Sequence, residues 1–178
     1  MADGKSGVLA DHDLTALFES GAITSQSPLD SDQIQPASLD LRLGTIAYRI
    51  RASFLPGGAR SVDDVLNVPG TELHRIELTA QGAVLETGCV YLVPLQEALK
   101  LPAGVSGRAN PKSSTGRIDV FTRVVTNQSK AFDDVPSDYA GPLWLEISPR
   151  TFPILVRPGD RLAQLRLRRG HSVETSEA

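Results

Sequence analysis

Ser38-Leu39-Asp40-Leu41-Arg42-Leu43-Gly44 alternates polar and apolar side chains at every step before ending on glycine. Neighbouring side chains of a strand point to opposite faces, so this period of two predicts a half-buried strand led by its leucines. The same reading works outward. Strands are expected at Thr45–Ile50, Leu73–Leu78 and Cys89–Leu95, then at Arg117–Val125, Leu143–Ile147, Phe152–Val156 and Arg161–Leu167. In the last of these, Leu162 and Ala163 break the alternation before Leu165 and Leu167 resume it, which predicts a bulge. Turn residues punctuate the runs at Pro56-Gly57-Gly58, Pro69-Gly70, Gly82, Gly88, Pro102 to Gly104, Asn110-Pro111, Gly141-Pro142 and Pro158-Gly159. Many short strands at such intervals predict an all-β fold, a barrel or a sandwich. One helix is expected: Asp11 caps it, Leu14, Leu17 and Phe18 share a face, and Ser20-Gly21 stops it. Residues 1–7 read as a flexible leader, 8–169 as a single domain and 170–178 as a polar tail, with no internal repeat or linker.

Composition narrows the function. A chain of 178 residues, 40% hydrophobic and 22% charged, can bury a core without staples. Its 18 Lys+Arg against 21 Asp+Glu give no general attraction to nucleic acid, and 5% aromatic content offers little for base stacking. No apolar run approaches the roughly 20 residues that span a bilayer, and no charged-then-apolar leader opens the chain. The expectation is a cytoplasmic protein without nucleic-acid or membrane partners. A lone Cys89, beside Gly88 and Val90, reads as a small buried hydrophobe. With His12, His74 and His171 far apart as well, no metal site is expected, and the His-x-Glu…Pro-Cys-x-x-Cys pattern of zinc deaminases is missing. No serine sits in a Gly-x-Ser-x-Gly elbow.

The densest polar string is Asn110-Pro111-Lys112-Ser113-Ser114-Thr115-Gly116-Arg117. Phosphate oxygens favour this mixture of short hydroxyls, exposed backbone N–H groups and cationic side chains. A polar turn leading into a strand is the plainer reading, and the spacing is not that of a Walker loop. Leu143-Trp144-Leu145-Glu146-Ile147 is the second candidate. Alternation sets Trp144 and Glu146 on one face, where an indole would partly desolvate the carboxylate and suit it to moving protons. A solvent-facing glutamate is the alternative. Between Phe132 and Gly141, Asp133, Asp134 and Asp138 form an acidic stretch, either a solvated loop or the source of a carboxylate that orients a sugar hydroxyl.

Several segments together resemble the dCTP deaminases, relatives of the trimeric dUTPases. Gln33 to Gly44 is similar to that family's opening motif, and Lys112 to Arg117 to its Arg-Ser-Ser-x-x-Arg motif. Leu143-Trp144-Leu145-Glu146 resembles the strand with the catalytic glutamate. Phe132-Asp133, with Tyr139 and Gly141, resembles the Ile-Asp-Pro-Gly-Trp-x-Gly turn. Phe152 to Leu162 resembles the closing hairpin. The resemblance implies a distorted β-barrel or jelly-roll-like fold of the dUTPase type, assembled as a homotrimer with sites between subunits. It implies conversion of dCTP to dUTP and ammonia without zinc, with magnesium carried by the triphosphate. Glu146, Ser113 and Arg117 would be catalytic, and Lys112, Ser113, Ser114, Thr115, Gly116, Arg117, Asp133, Trp144 and Leu145 would bind nucleotide. A dUTP pyrophosphatase on the same scaffold, or a nucleotide-binding and trimer-building half without catalysis, are the rival readings. Three departures stand out. Lys112 replaces the usual Arg, losing its fork geometry. The acidic turn carries extra residues, which leaves Asp138 as a rival to Asp133. The family's tail of Tyr, Lys and Gln over the triphosphate has no counterpart before Ala178. Arg51 to Gly57 and Ser148 to Pro153 are most similar to the N-terminal half of a double-length bacterial deaminase, which implies a separate C-terminal half.

Overall fold

The structure, a computed structural model, describes residues 6–170; residues 1–5 of the expected leader and the tail from His171 onward lie outside the described residues. Chain order runs β1 (Gly7–Val8), α1 (Asp11–Glu19), β2 (Ile23–Ser25), β3 (Ile34–Gln35), β4 (Ser38–Arg42) and β5 (Ile46–Ile50). It continues through α2 (Val62–Leu66), β6 (Glu72–Glu77), β7 (Ala83–Leu85), β8 (Val90–Lys100), β9 (Val105–Pro111) and α3 (Ser113–Arg117). The chain closes with β10 (Val120–Thr126), β11 (Asp134–Val135), β12 (Ala140–Pro149), β13 (Ile154–Val156) and β14 (Arg161–Arg169).

Two antiparallel sheets carry the fold. One is ordered β11-β9-β14-β4-β3 with β1 beside β14; the other is β10-β12-β8-β5-β6 with β2 beside β8. Leu39, Leu41, Leu165 and Leu167 of the first meet Val93, Leu95, Val124, Leu143, Leu145 and Ile147 of the second in one core. Each leucine so buried contributes about 1.5–3 kcal/mol, which fixes the face that β4 turns inward. This is the all-β arrangement expected from the alternation, in the jelly-roll-like form that the resemblance implied. Among the described residues no helix is long and apolar enough to cross a membrane.

The second face of β4 departs from expectation: all five of its residues are buried, Asp40 and Arg42 included. Arg42 is held by Glu97, whose Oε1 accepts from its Nε at 2.9 Å and whose Oε2 accepts from its backbone N–H at 2.8 Å. Its Nη1 donates to the Pro28 carbonyl at 2.8 Å and its Nη2 to Ser25 Oγ at 2.6 Å. Gln33 Nε2 donates to the same Glu97 oxygen at 2.8 Å. Every strong donor of this buried cluster has an acceptor, which is what makes burial of the charges tolerable.

Three helices form among the described residues where one was expected. In α1 the cap is Ala10, not Asp11: the Asp13 carboxylate accepts the Ala10 N–H at 3.1 Å, and Asp11 is already helical. The short α2 follows Ser61, whose Oγ accepts the Asp64 N–H at 3.1 Å while Asp64 Oδ2 accepts the Ser61 N–H at 2.8 Å. That reciprocal pair is written in the sequence as Ser-x-x-Asp. Arg117, expected in a strand, ends α3, and Gly7, expected in the leader, pairs with Arg169. Asn110-Pro111 is no turn but the end of β9. The inward positions of β9 are Val105, Gly107 and Ala109, too small to register as an apolar alternation. A methyl added at Gly107 would lie 2.9 Å from Leu167 Cδ2 and 3.0 Å from Leu165 Cδ1, so large leucines opposite require small residues here.

The expected irregularity in β14 is present: pairing with β4 shifts register between Arg161 and Ala163. The Leu162 carbonyl, turned out of that ladder, accepts the Lys112 N–H at 3.0 Å and the Thr115 hydroxyl at 2.8 Å. The bulge therefore anchors α3.

Candidate active site

Glu146 lies in β12, with β10 on one side and β8 on the other. As the alternation predicts, Leu143, Leu145 and Ile147 enter the main core, while Trp144 joins a second cluster with Ile50, Val62, Leu66, Leu92 and Val125. Here Val62 and Leu66 of α2 pack in the cluster with Trp144, and Glu146 on the same face is only 2% exposed. The solvent-facing alternative is ruled out. The Trp144 ring leans on Tyr48, centroids 6.0 Å apart, and its indole N–H is buried without a partner among the described residues. Leu145 does not meet the nucleotide role: its side chain is fully buried in the core, and its backbone is paired on both sides.

The carboxylate of Glu146 is fully engaged within the chain. The β10–β12 register places Arg123 directly opposite it. Glu146 Oε1 accepts from Arg123 Nε at 3.0 Å and Nη2 at 2.6 Å, and Oε2 accepts the Ser53 hydroxyl at 2.5 Å. Arg123 Nη2 also donates to Ser53 Oγ at 2.6 Å, closing a ring of three side chains. The sequence reading did not single out Arg123 or Ser53. The arginine was recoverable only by fixing the β10–β12 register, and the serine lies in a loop with no periodic signal.

The polar string at 112–117 folds as the single turn of α3, with Ser113, Ser114, Gly116 and Arg117 exposed. Two of its members are committed elsewhere. Thr115 is buried and gives its hydroxyl to Leu162, and the Lys112 ammonium is paired with the buried Asp40 carboxylate. Neither Ser113 nor Arg117 bonds Glu146 within one chain. A cleft of about 420 Å³ nonetheless brings Gly116 beside Arg123, Asp133 and Arg150.

Of the two rival aspartates, Asp133 is the one at this cleft. Its Oδ1 accepts the Val124 N–H at 2.7 Å, whereas Asp138 lines a different cleft beside Ser137 and Tyr139. Burial pushes the Asp133 carboxyl above 3.8, against the pull of the Val124 N–H and of the Arg123 guanidinium. A carboxyl raised in the folded state binds more protons folded than unfolded, so its contribution to stability declines as pH climbs from 3.8 through the raised value. Asp133→Asn should remove that slope from melting temperature against pH. Asparagine also tolerates the left-handed backbone at φ 60 and keeps the acceptor for Val124. An unchanged slope would show that Asp133 is not buried as described.

Comparison with known proteins agrees with this architecture. The profile described as "2'-deoxycytidine 5'-triphosphate deaminase (DCD) N-terminal domain" matches residues 5–171. The crystal structure of 2'-deoxycytidine 5'-triphosphate deaminase from Agrobacterium tumefaciens superposes with a TM-score of 0.91 at 59% identity, covering 95% of this chain and 50% of that one. This chain thus spans about half the length of that relative. A protein of Thermobifida fusca named "dCTP deaminase, dUMP-forming" is 31% identical over 160 residues, covering 89% of this chain and 76% of its own. A dUTPase from phage phi11 of S. aureus shares the fold alone, with a TM-score of 0.50 at 12% identity over 88% of this chain and 94% of that one. On that match and the order of its motifs, the chain belongs to the 2'-deoxycytidine 5'-triphosphate deaminase N-terminal domain family.

Proposed function

We propose that this chain hydrolyses the exocyclic amine of dCTP, giving dUTP and ammonia without zinc, at sites completed between copies of a cytoplasmic homotrimer. The observation that supports it best is the division of the polar groups: a buried carboxylate on β12, and donors on α3 that open outward and leave Glu146 untouched. Donors from a neighbouring copy's α3 would complete the site. Cytosine C4 is a weak electrophile and water a weak nucleophile. Glu146 would take a proton from a bound water and return protons to N3 and the departing amine. Ser113 and Arg117 would hold that water and polarise the ring. Ser114 and the backbone around Gly116 would grip the triphosphate, with magnesium arriving on it as part of the substrate; the Lys112 ammonium, already paired with Asp40, would add only its remaining N–H donors. Asp133 would orient the sugar, and Trp144 would wall the site. The Thr115 hydroxyl takes no part, being spent on Leu162.

A second reading is favoured by the names of relatives in Thermobifida fusca and Corynebacterium glutamicum, both "dCTP deaminase, dUMP-forming". Pyrophosphate release would then follow deamination, with Asp133 as the acidic group at the cleft. Incubating the chain with magnesium and either dCTP or dUTP separates the readings. Ammonia and dUTP from dCTP are the expected products; pyrophosphate with dUMP would establish the second reading. Calorimetric binding of dCTP without any product would instead identify a nucleotide-binding half that needs its C-terminal partner. Neither binding nor turnover would overturn all three.

A further inference from the structure

Both side chains that bond Glu146 line clefts. Arg123 lines the cleft of about 420 Å³, and Ser53 lines another of about 250 Å³ with Phe54, Val65 and Gly70. We propose that Arg123 is a positioning residue for Glu146, pinning Oε1 so that Oε2 is the oxygen that exchanges protons. This rests on the deaminase reading above. The two oxygens are held differently. Oε1 takes two donors from one planar guanidinium, at 3.0 and 2.6 Å, a fork that cannot release one bond without straining the other. Oε2 takes one hydroxyl, a single bond whose hydrogen can rotate without displacing Ser53 Oγ. The guanidinium is itself immobilised: its carbon lies 3.6 Å from the centroid of the Phe132 ring and 4.9 Å from that of Phe121. The walls around it come from two elements, Phe121 on β10 and Phe132 in the loop before β11. Arg123 thus sets the direction of a base that α3 of a neighbouring copy must meet, and does so without touching the reacting atoms.

The test uses the full chain with dCTP. Arg123→Ala should lower kcat by roughly 10- to 100-fold, the scale of a misaimed catalytic group, with KM changed less than threefold. Added guanidinium ion should restore much of that rate, and equal sodium chloride should not. Arg123→Lys keeps a cation against the buried carboxylate and guards against simple unfolding. It should fall between wild type and Arg123→Ala, because one ammonium cannot reproduce the fork. A merely structural role would lower both variants together with their melting temperatures and show no rescue. If wild type deaminates dCTP but Arg123→Ala keeps its kcat, or loses it without rescue, this inference fails alone. A wild-type chain that releases no ammonia removes the underlying reading, and this one with it.

Discussion

Exchanging Glu146 for glutamine should stop ammonia release from dCTP, a loss of at least ~10²-fold, the low end for general acid–base catalysis. Glutamine keeps the length of the side chain and an oxygen for the Arg123 fork, but it cannot take a proton from water at neutral pH. Nucleotide binding should survive, because on the proposed reading the triphosphate would be gripped by α3 and not by β12. Calorimetry with dCTP therefore separates a lost proton shuttle from a lost site. A near-wild-type rate in Glu146→Gln would remove the carboxylate from the chemistry altogether. The substitution also leaves the Arg123 guanidinium facing a neutral amide, so its melting temperature belongs beside its rate.

The largest effect on stability should come from Glu97→Ala. Glu97 is completely buried and neutralises Arg42, which is itself only 3% exposed. Removing one member of a buried pair strands the other, at a cost of about 3–5 kcal/mol. Urea unfolding should show this as a lower midpoint with little change in slope. Gln33 Nε2 loses one of its two acceptors but keeps the Asp40 carbonyl at 2.9 Å, so the loss is concentrated on Arg42. Replacing both charges together, Arg42→Met with Glu97→Leu, should recover part but not all of the loss, since no charge is left stranded while the backbone N–H of residue 42 still loses its Glu97 acceptor. A fall below about 1 kcal/mol in Glu97→Ala would mean that water reaches Arg42.

The sequence carried the fold where side chains alternate by size. β4, β8, β12 and β14 declare themselves because their inward positions are leucine, valine or isoleucine. β9 does not, because Leu165 and Leu167 of β14, its neighbour in the same sheet, crowd the space beside Gly107 and leave no room for a large side chain. The short helix α3 spans too few residues for any helical period to show. For the site, a period of two correctly set Glu146 beside Trp144 and away from Leu145. It could not show that α2 packs with Trp144 on the outer face of the sheet, so exposure of Glu146 stayed open. The choice between Asp133 and Asp138 was likewise closed to sequence: both adopt left-handed backbone, at φ 60 and φ 62, and only Asp133 tucks under Val124. Lys112 and Thr115 show the converse limit. Their side chains suit phosphate, but partners distant in the chain, Asp40 and Leu162, claim them first.

The bulge at Leu162 ties assembly of α3 to a strand far along the chain. An isolated helix needs about 12–15 residues to hold together in water, and α3 has five. Its two tethers to Leu162, one from Lys112 and one from Thr115 across 47 residues, exist only after β14 has docked. During synthesis the upstream donors thus take shape only when β14 has left the ribosome. Shortening the chain ahead of that strand would disable them while deleting none of them.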